Sequence, residues 1–123
     1  MKKALYSVLL AASLSTAAFA DCTYPRAPTK MPDGTSATRD DMIAGKKQVE
    51  QYNADMTTYL NCIKTEHDAA LAKQAASATE EQKQQMAAMY TQKNDAAVDE
   101  LQGVAARFNE QLRAYKAKTT AAK

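Results

Sequence analysis

All three prolines of this chain, Pro25, Pro28 and Pro32, lie close together, and none occurs from Asp33 to Lys123. Proline lacks an amide donor and keeps the residue before it extended, so the segment carrying it is neither a helix interior nor a central strand. The proline-free remainder is open to continuous helix. The chain therefore divides into an arm and a helical part. The arm, DCTYPRAPTKMPDGTSA over residues 21–37, reads as polyproline-like and extended. It closes in a turn at Pro32-Asp33-Gly34, where proline presets φ, aspartate caps locally and glycine tolerates positive φ.

The helical part announces its starts twice, as SATRDDM at 36–42 and SATEEQK at 77–83. Thr38 is an N-cap residue with Asp41 three positions on, and Thr79 repeats the pattern with Gln82. Asp40-Asp41 and Glu80-Glu81, read alone, resemble acid/base or metal sites. Their place in a first helical turn, at the positive end of the dipole and beside unpaired amides, accounts for them without chemistry. Apolar positions then recur at helical spacing. Met42, Val49, Met56, Ile63 and Ala70 form one row, with Tyr52, Tyr59, Leu60, His67 and Leu71 beside it. After the second start come Met86, Met89, Tyr90, Ala97, Leu101, Val104, Ala105, Phe108, Leu112 and Tyr115. These near-heptad stripes predict helices over 39–76 and 80–117, with 119–123 frayed. Gly45 and Gly103 weaken them slightly. The expected fold is all-α: an antiparallel, coiled-coil-like two-helix hairpin over 38–123 preceded by the extended arm.

The N-terminus has the order of a secretory signal peptide: Lys2-Lys3, an apolar run from Ala4 to Leu14 too short to span a bilayer, then Ala18-Phe19-Ala20. Cleavage after Ala20 leaves 103 of the 123 residues, one modest domain. Asp21 before Cys22 argues against a lipid anchor. Of 16 basic residues, Lys2 and Lys3 leave with the leader, so 14 face 14 acidic ones and the formal charge is zero. That balance calls for no nucleic acid. No second apolar stretch is long enough for a transmembrane segment. The expected destination is the periplasm or beyond. In an oxidising compartment an even cysteine count reads as a bridge, here Cys22 to Cys62. It closes a long loop, a constraint of about 4 kcal/mol in the chain-entropy model. Cys62 falls mid-helix, so the bridge should draw the arm back along the first helix, with Tyr24 and Met31 covering its stripe.

Signs of catalysis are missing. His67, in TEHD, is the single histidine, and its acidic neighbours point to other faces. No G-x-S-x-G, Walker loop, H-E-x-x-H or C-x-x-C is present, and three glycines build no phosphate cradle. The expectation is a non-enzyme with no cofactor and no metal. Met86, Met89 and Tyr90 suit either core filling or an adaptable contact surface. Arg107, Arg113, Lys116 and Lys118 complement the second helix's C-terminal dipole, or contact anionic envelope polymers or lipid headgroups.

Two resemblances add to this. PDGTSATRDDM, with a cysteine upstream and another in YLNC, resembles a pattern in small proteobacterial secreted proteins and implies no activity. ATEEQKQQMAAM at 78–89 resembles the L-T-x-x-Q box of Spy-like periplasmic chaperones, thin curved helical dimers that hold unfolding clients. Thr79 and Gln82 match that box, while Ala78 replaces its leucine. The resulting expectation is a small exported helical interaction or structural protein that self-associates or meets an envelope partner. The alternative is a Spy-like holdase.

Overall fold

A computed structural model describes residues 21–122; the leader reading falls on 1–20, outside them. Two helices make up the fold, α1 (Arg39–Gln74) and α2 (Glu80–Ala121), packed against each other with no strand among the described residues. At 1.5 Å per residue their 36 and 42 residues give rods of about 54 and 63 Å. Both begin with a complete capping box. The Asp41 amide donates to Thr38 Oγ1 and the Thr38 amide to Asp41 Oδ2; Gln82 and Thr79 repeat the exchange. Between the helices, the Ser77 and Ala78 amides donate to Gln74 O and fold the chain back.

The helix ends depart from the 39–76 and 80–117 expected. α1 stops at Gln74, where its carbonyl is taken by the turn amides. α2 continues through the segment expected to fray, to Ala121. Its last turns are tied down: Lys118 Nζ donates to Ala37 O at 2.7 Å, and Thr119 Oγ1 donates to the Tyr115 and Lys116 carbonyls.

The arm runs from Cys22, bridged to Cys62 with Cα atoms 5.7 Å apart, back to the start of α1. It touches both helices on the way. The Tyr24 ring stands edge-on to Tyr59 with centroids 4.9 Å apart, and its hydroxyl donates to Glu100 Oε2 at 2.6 Å. Ala27 and Met31 pack on the core, and the Gly34 amide donates to Gln111 Oε1. The turn that follows is held by Asp33, whose side chain accepts from the Thr35 amide and hydroxyl and whose carbonyl accepts from the Ser36 and Ala37 amides.

The glycines play a different part from the one their sequence positions imply. No φ is positive among the described residues, so Gly34 is not there for a left-handed turn. It is there because α2 is too close for a side chain: a Cβ would run into the Gln111 carbonyl and lie 2.8 Å from Tyr115 N. Gly45, which costs α1 some propensity, is the crossing point of the arm. A Cβ there would lie 2.6 Å from Pro32 Cγ and 3.2 Å from Phe108 Cε2.

The core follows from this layering. Its buried residues are Tyr52, Met56, Tyr59, Ile63, Ala97 and Val104, with Ala37, Met42 and Phe108 below them. All sit where the arm and two helices meet, which we call the base. Beyond Ile63 and Ala97, towards the turn, the described residues form only the two helices, and none of them there is buried. This is the tip. Met89, counted in the inward stripe, is 60% exposed. Successive helical residues are rotated by 100°, so Met86 and Tyr90 take the seam and Met89 is turned to its rim. No described helix is long and apolar enough to cross a membrane.

Candidate functional site

The described arm meets α1 at the Cys22–Cys62 bridge, and just beyond it the groove between the helices is uncovered by any described residue. Ile63, Glu66, His67 and Ala70 of α1 and Met86, Met89, Tyr90 and Lys93 of α2 line a cleft of about 180 Å³. Its floor is aromatic: His67 stacks flat on Tyr90, centroids 4.6 Å apart and planes 12° from parallel. Ile63 and Tyr90 belong to the main core as well, so the cleft continues the groove that the arm fills at the base. Glu66 stands on one lip, with a carboxylate oxygen within 4.8 Å of both bridge sulfurs. Those sulfurs are bonded to each other, so neither is a thiolate ligand, and the trio is a staple with a carboxylate beside it. Lys93 stands on the other lip. Neither it nor Glu66 takes part in the ion pairs Lys46–Glu50, Lys64–Asp68 and Glu80–Lys83.

The remaining sequence candidates are distributed differently from their spacing. Thr38, Asp41, Thr79 and Gln82 are committed to the caps. The amide and hydroxyl of Thr38 hold the Asp41 carboxyl below its usual range, as the Thr35 hydroxyl and amide do for Asp33. The cations Arg107, Arg113, Lys116 and Lys118 do not form one patch. At 100° per residue Arg107 and Lys118 share one side of α2, and Arg113 and Lys116 take another. Lys118 is tied to Ala37 O and rests 5.1 Å from the Tyr115 ring centroid.

Sequence reasoning missed Glu100. Its carboxylate receives the Tyr24 hydroxyl and lies near that of Tyr52, which is 2% exposed and has no hydrogen-bond partner. Burial first, then Glu100, pushes the pKa of both tyrosines up. No local signal could have exposed this, since Tyr24 and Glu100 are 76 residues apart. A second shallow cleft was missed too. It lies between the helices at the base, where Ile43, Phe108, Leu112 and Tyr115 meet under Arg39 and Lys46.

No family model, curated protein or solved structure matches this chain. The meaning of the site therefore rests on its own geometry.

Proposed function

We propose that this chain is a small, non-catalytic interaction protein of the bacterial envelope, exported to the periplasm or secreted, which self-associates through its tip. The observation that carries this reading is the unequal covering of one groove. At the base the arm fills it; at the tip the Ile63–Met86–Tyr90 cleft is open and Met89 is 60% exposed. Apolar surface left uncovered at the end of a narrow rod favours a partner. The Cys22–Cys62 bridge supports an oxidising destination, and with it a leader cleaved after Ala20. Arg113 and Lys116, exposed on α2, are available to anionic envelope surfaces. Light scattering on the oxidised mature chain tests the proposal. We expect mass to rise with concentration towards a dimer; a strict monomer at high micromolar concentration ends this reading.

A second reading has one specific observation behind it. The cleft is lined by two methionines, Met86 and Met89, whose flexible side chains suit irregular ligands. That is what a holdase needs, and the partial likeness of 78–89 to the Spy-like box points the same way. Thr79 and Gln82, which carry that likeness, are engaged with each other in the cap and contribute nothing to the cleft. Turbidity of an aggregating client with the protein at stoichiometric ratio is the test; no suppression at several-fold excess removes the holdase.

A further inference from the structure

We infer that the tip cleft is one half of a symmetric interface, filled by the tip of a second copy lying face to face with its turn pointing the same way. This rests on the self-association proposed above and names the surface and pairing that produce it.

The charges on the lips select the occupant. Glu66 on α1 and Lys93 on α2 face each other across the cleft, and neither takes part in those ion pairs. The stacked pair His67 and Tyr90 fixes the register, placing residue 66 of α1 opposite residue 91 of α2. Lys93 is then two residues away, about 3 Å along the axis and within a lysine's reach. A two-fold axis running along the cleft lays the α1 lip of one copy over the α2 lip of the other at the same height. Glu66 then meets the second copy's lysine while Lys93 meets its glutamate, giving two pairs from one symmetry operation. Turning the second copy end over end about the cleft sets glutamate on glutamate and lysine on lysine, which like charge opposes. The same docking covers Met89 and continues the apolar seam that Ile63 and Tyr90 share with the core.

The arm limits this contact. It meets α1 at Cys22, beside Glu66, and therefore on the face that carries the cleft. Two arms on facing surfaces hold the bases apart, so the copies touch only beyond the bridges. A contact of that extent is at the small end for protein interfaces, where association is weak and concentration-dependent.

The experiment is sedimentation velocity on the oxidised mature chain and on Glu66→Lys, Lys93→Glu and the double variant, from low to high micromolar, with circular dichroism as the folding control. Each single variant places like charges at both contacts and should weaken the dimer about tenfold, the combined worth of two exposed pairs. The double variant, and an equimolar mixture of the two single variants, should restore it. A wild-type monomer overturns both the self-association and this interface; if that monomer still suppresses client aggregation, the cleft belongs to the second reading. A wild-type dimer unmoved by either single variant leaves self-association standing and overturns the tip as its surface. Single variants that weaken the dimer without rescue by the double variant or the mixture overturn the Glu66–Lys93 pairing.

Discussion

At the base, Met56 and Val104 are fully enclosed; at the tip, Met86 is half-covered and Met89 is 60% exposed. The two ends are built from the same helices, start with the same capping box and carry apolar side chains at the same spacing. They differ in the number of rods. Three rods surround a central line and can seal it, whereas two touch along a seam and leave both sides open. The difference teaches that a helix's apolar stripe states how much surface must be covered, not what covers it. In one half the chain brings its own cover and staples it down. In the other the stripe stays partly exposed among the described residues.

The largest expected effect is on the base core. Met56→Ala should destabilise the monomer by about 2–4 kcal/mol, from lost burial and a cavity that three packed rods cannot collapse. Met86→Ala should cost well under half of that, because water already reaches its site. Denaturant unfolding of both variants measures the ratio; equal losses would mean that the two ends are packed alike.

Cutting the staple comes next. Cys62→Ser, compared with the oxidised chain, should cost about 2–4 kcal/mol. The far-ultraviolet helical signal should persist, since neither cap depends on the bridge. The tyrosine near-ultraviolet signal should fall, because Tyr24 leaves Tyr59. Loss of helix together with the bridge would show that the arm is required for the hairpin itself.

Two alanine substitutions probe the close approach of arm and helix. Gly34→Ala should destabilise by about 1–3 kcal/mol, because the new methyl group meets the backbone of α2. Gly103→Ala should stabilise by about 0.5–1 kcal/mol, since a Cβ there would meet, outside the helix backbone, nothing closer than an Arg107 nitrogen 3.7 Å away, and helix propensity rises. Thermal melts in parallel read the opposite signs, and shifts of the same sign would refute the close contact at Gly34.

The smallest effect separates the ends by pH. The base cap contains a carboxylate, Asp41, and the tip cap an amide, Gln82. Asp41 has its folded pKa lowered, so what it adds is present in full above the unfolded value of about 3.9 and is lost as pH falls through the folded one. Asp33 in the neighbouring turn behaves alike. On acidification, the protection of the Thr38 and Asp41 amides, taken relative to the intrinsic exchange rate at each pH, should fall while that of Thr79 and Gln82 holds. Tyr24 sets the alkaline limit. Its folded pKa is raised, so its contribution holds below about 10 and is lost as pH climbs further. Above that value the arm should loosen from Glu100, which tyrosinate absorbance during the titration follows.

Much of the fold is legible in the sequence because the rules involved are local. A threonine three residues before a carboxylate or amide makes a cap where a non-helical segment ends, as at Thr38 and Thr79, whereas Thr65, three residues before Asp68 but inside α1, only turns its hydroxyl to the Asn61 carbonyl. Apolar side chains at helical spacing make a stripe, and Met42, Tyr52, Met56, Tyr59 and Ile63 are buried along it. Two cysteines admit a single intrachain pairing. The site was half legible. Met86 and Tyr90 could be named from their stripe, but the exposure of Met89 follows from which residues the seam selects. The cations of α2 looked like a cluster because they are near in sequence, and helical rotation disperses them.

Local spacing in the chain determined the two helices, their starts, their buried rows and the staple, since each depends on residues that meet through one helix or one bond. The tertiary structure alone decided what happens between elements. The bonds of Tyr24 to Glu100, Gly34 to Gln111 and Lys118 to Ala37 join residues 76, 77 and 81 positions apart. They exist because the bridge fixes where the arm begins and the packing of α1 on α2 fixes the register opposite it. Neither register is written in any short stretch of residues. The same two constraints decide that the described arm, 21–37, covers the base as far as Cys62 and does not reach over the Glu66 and Lys93 lips of the tip.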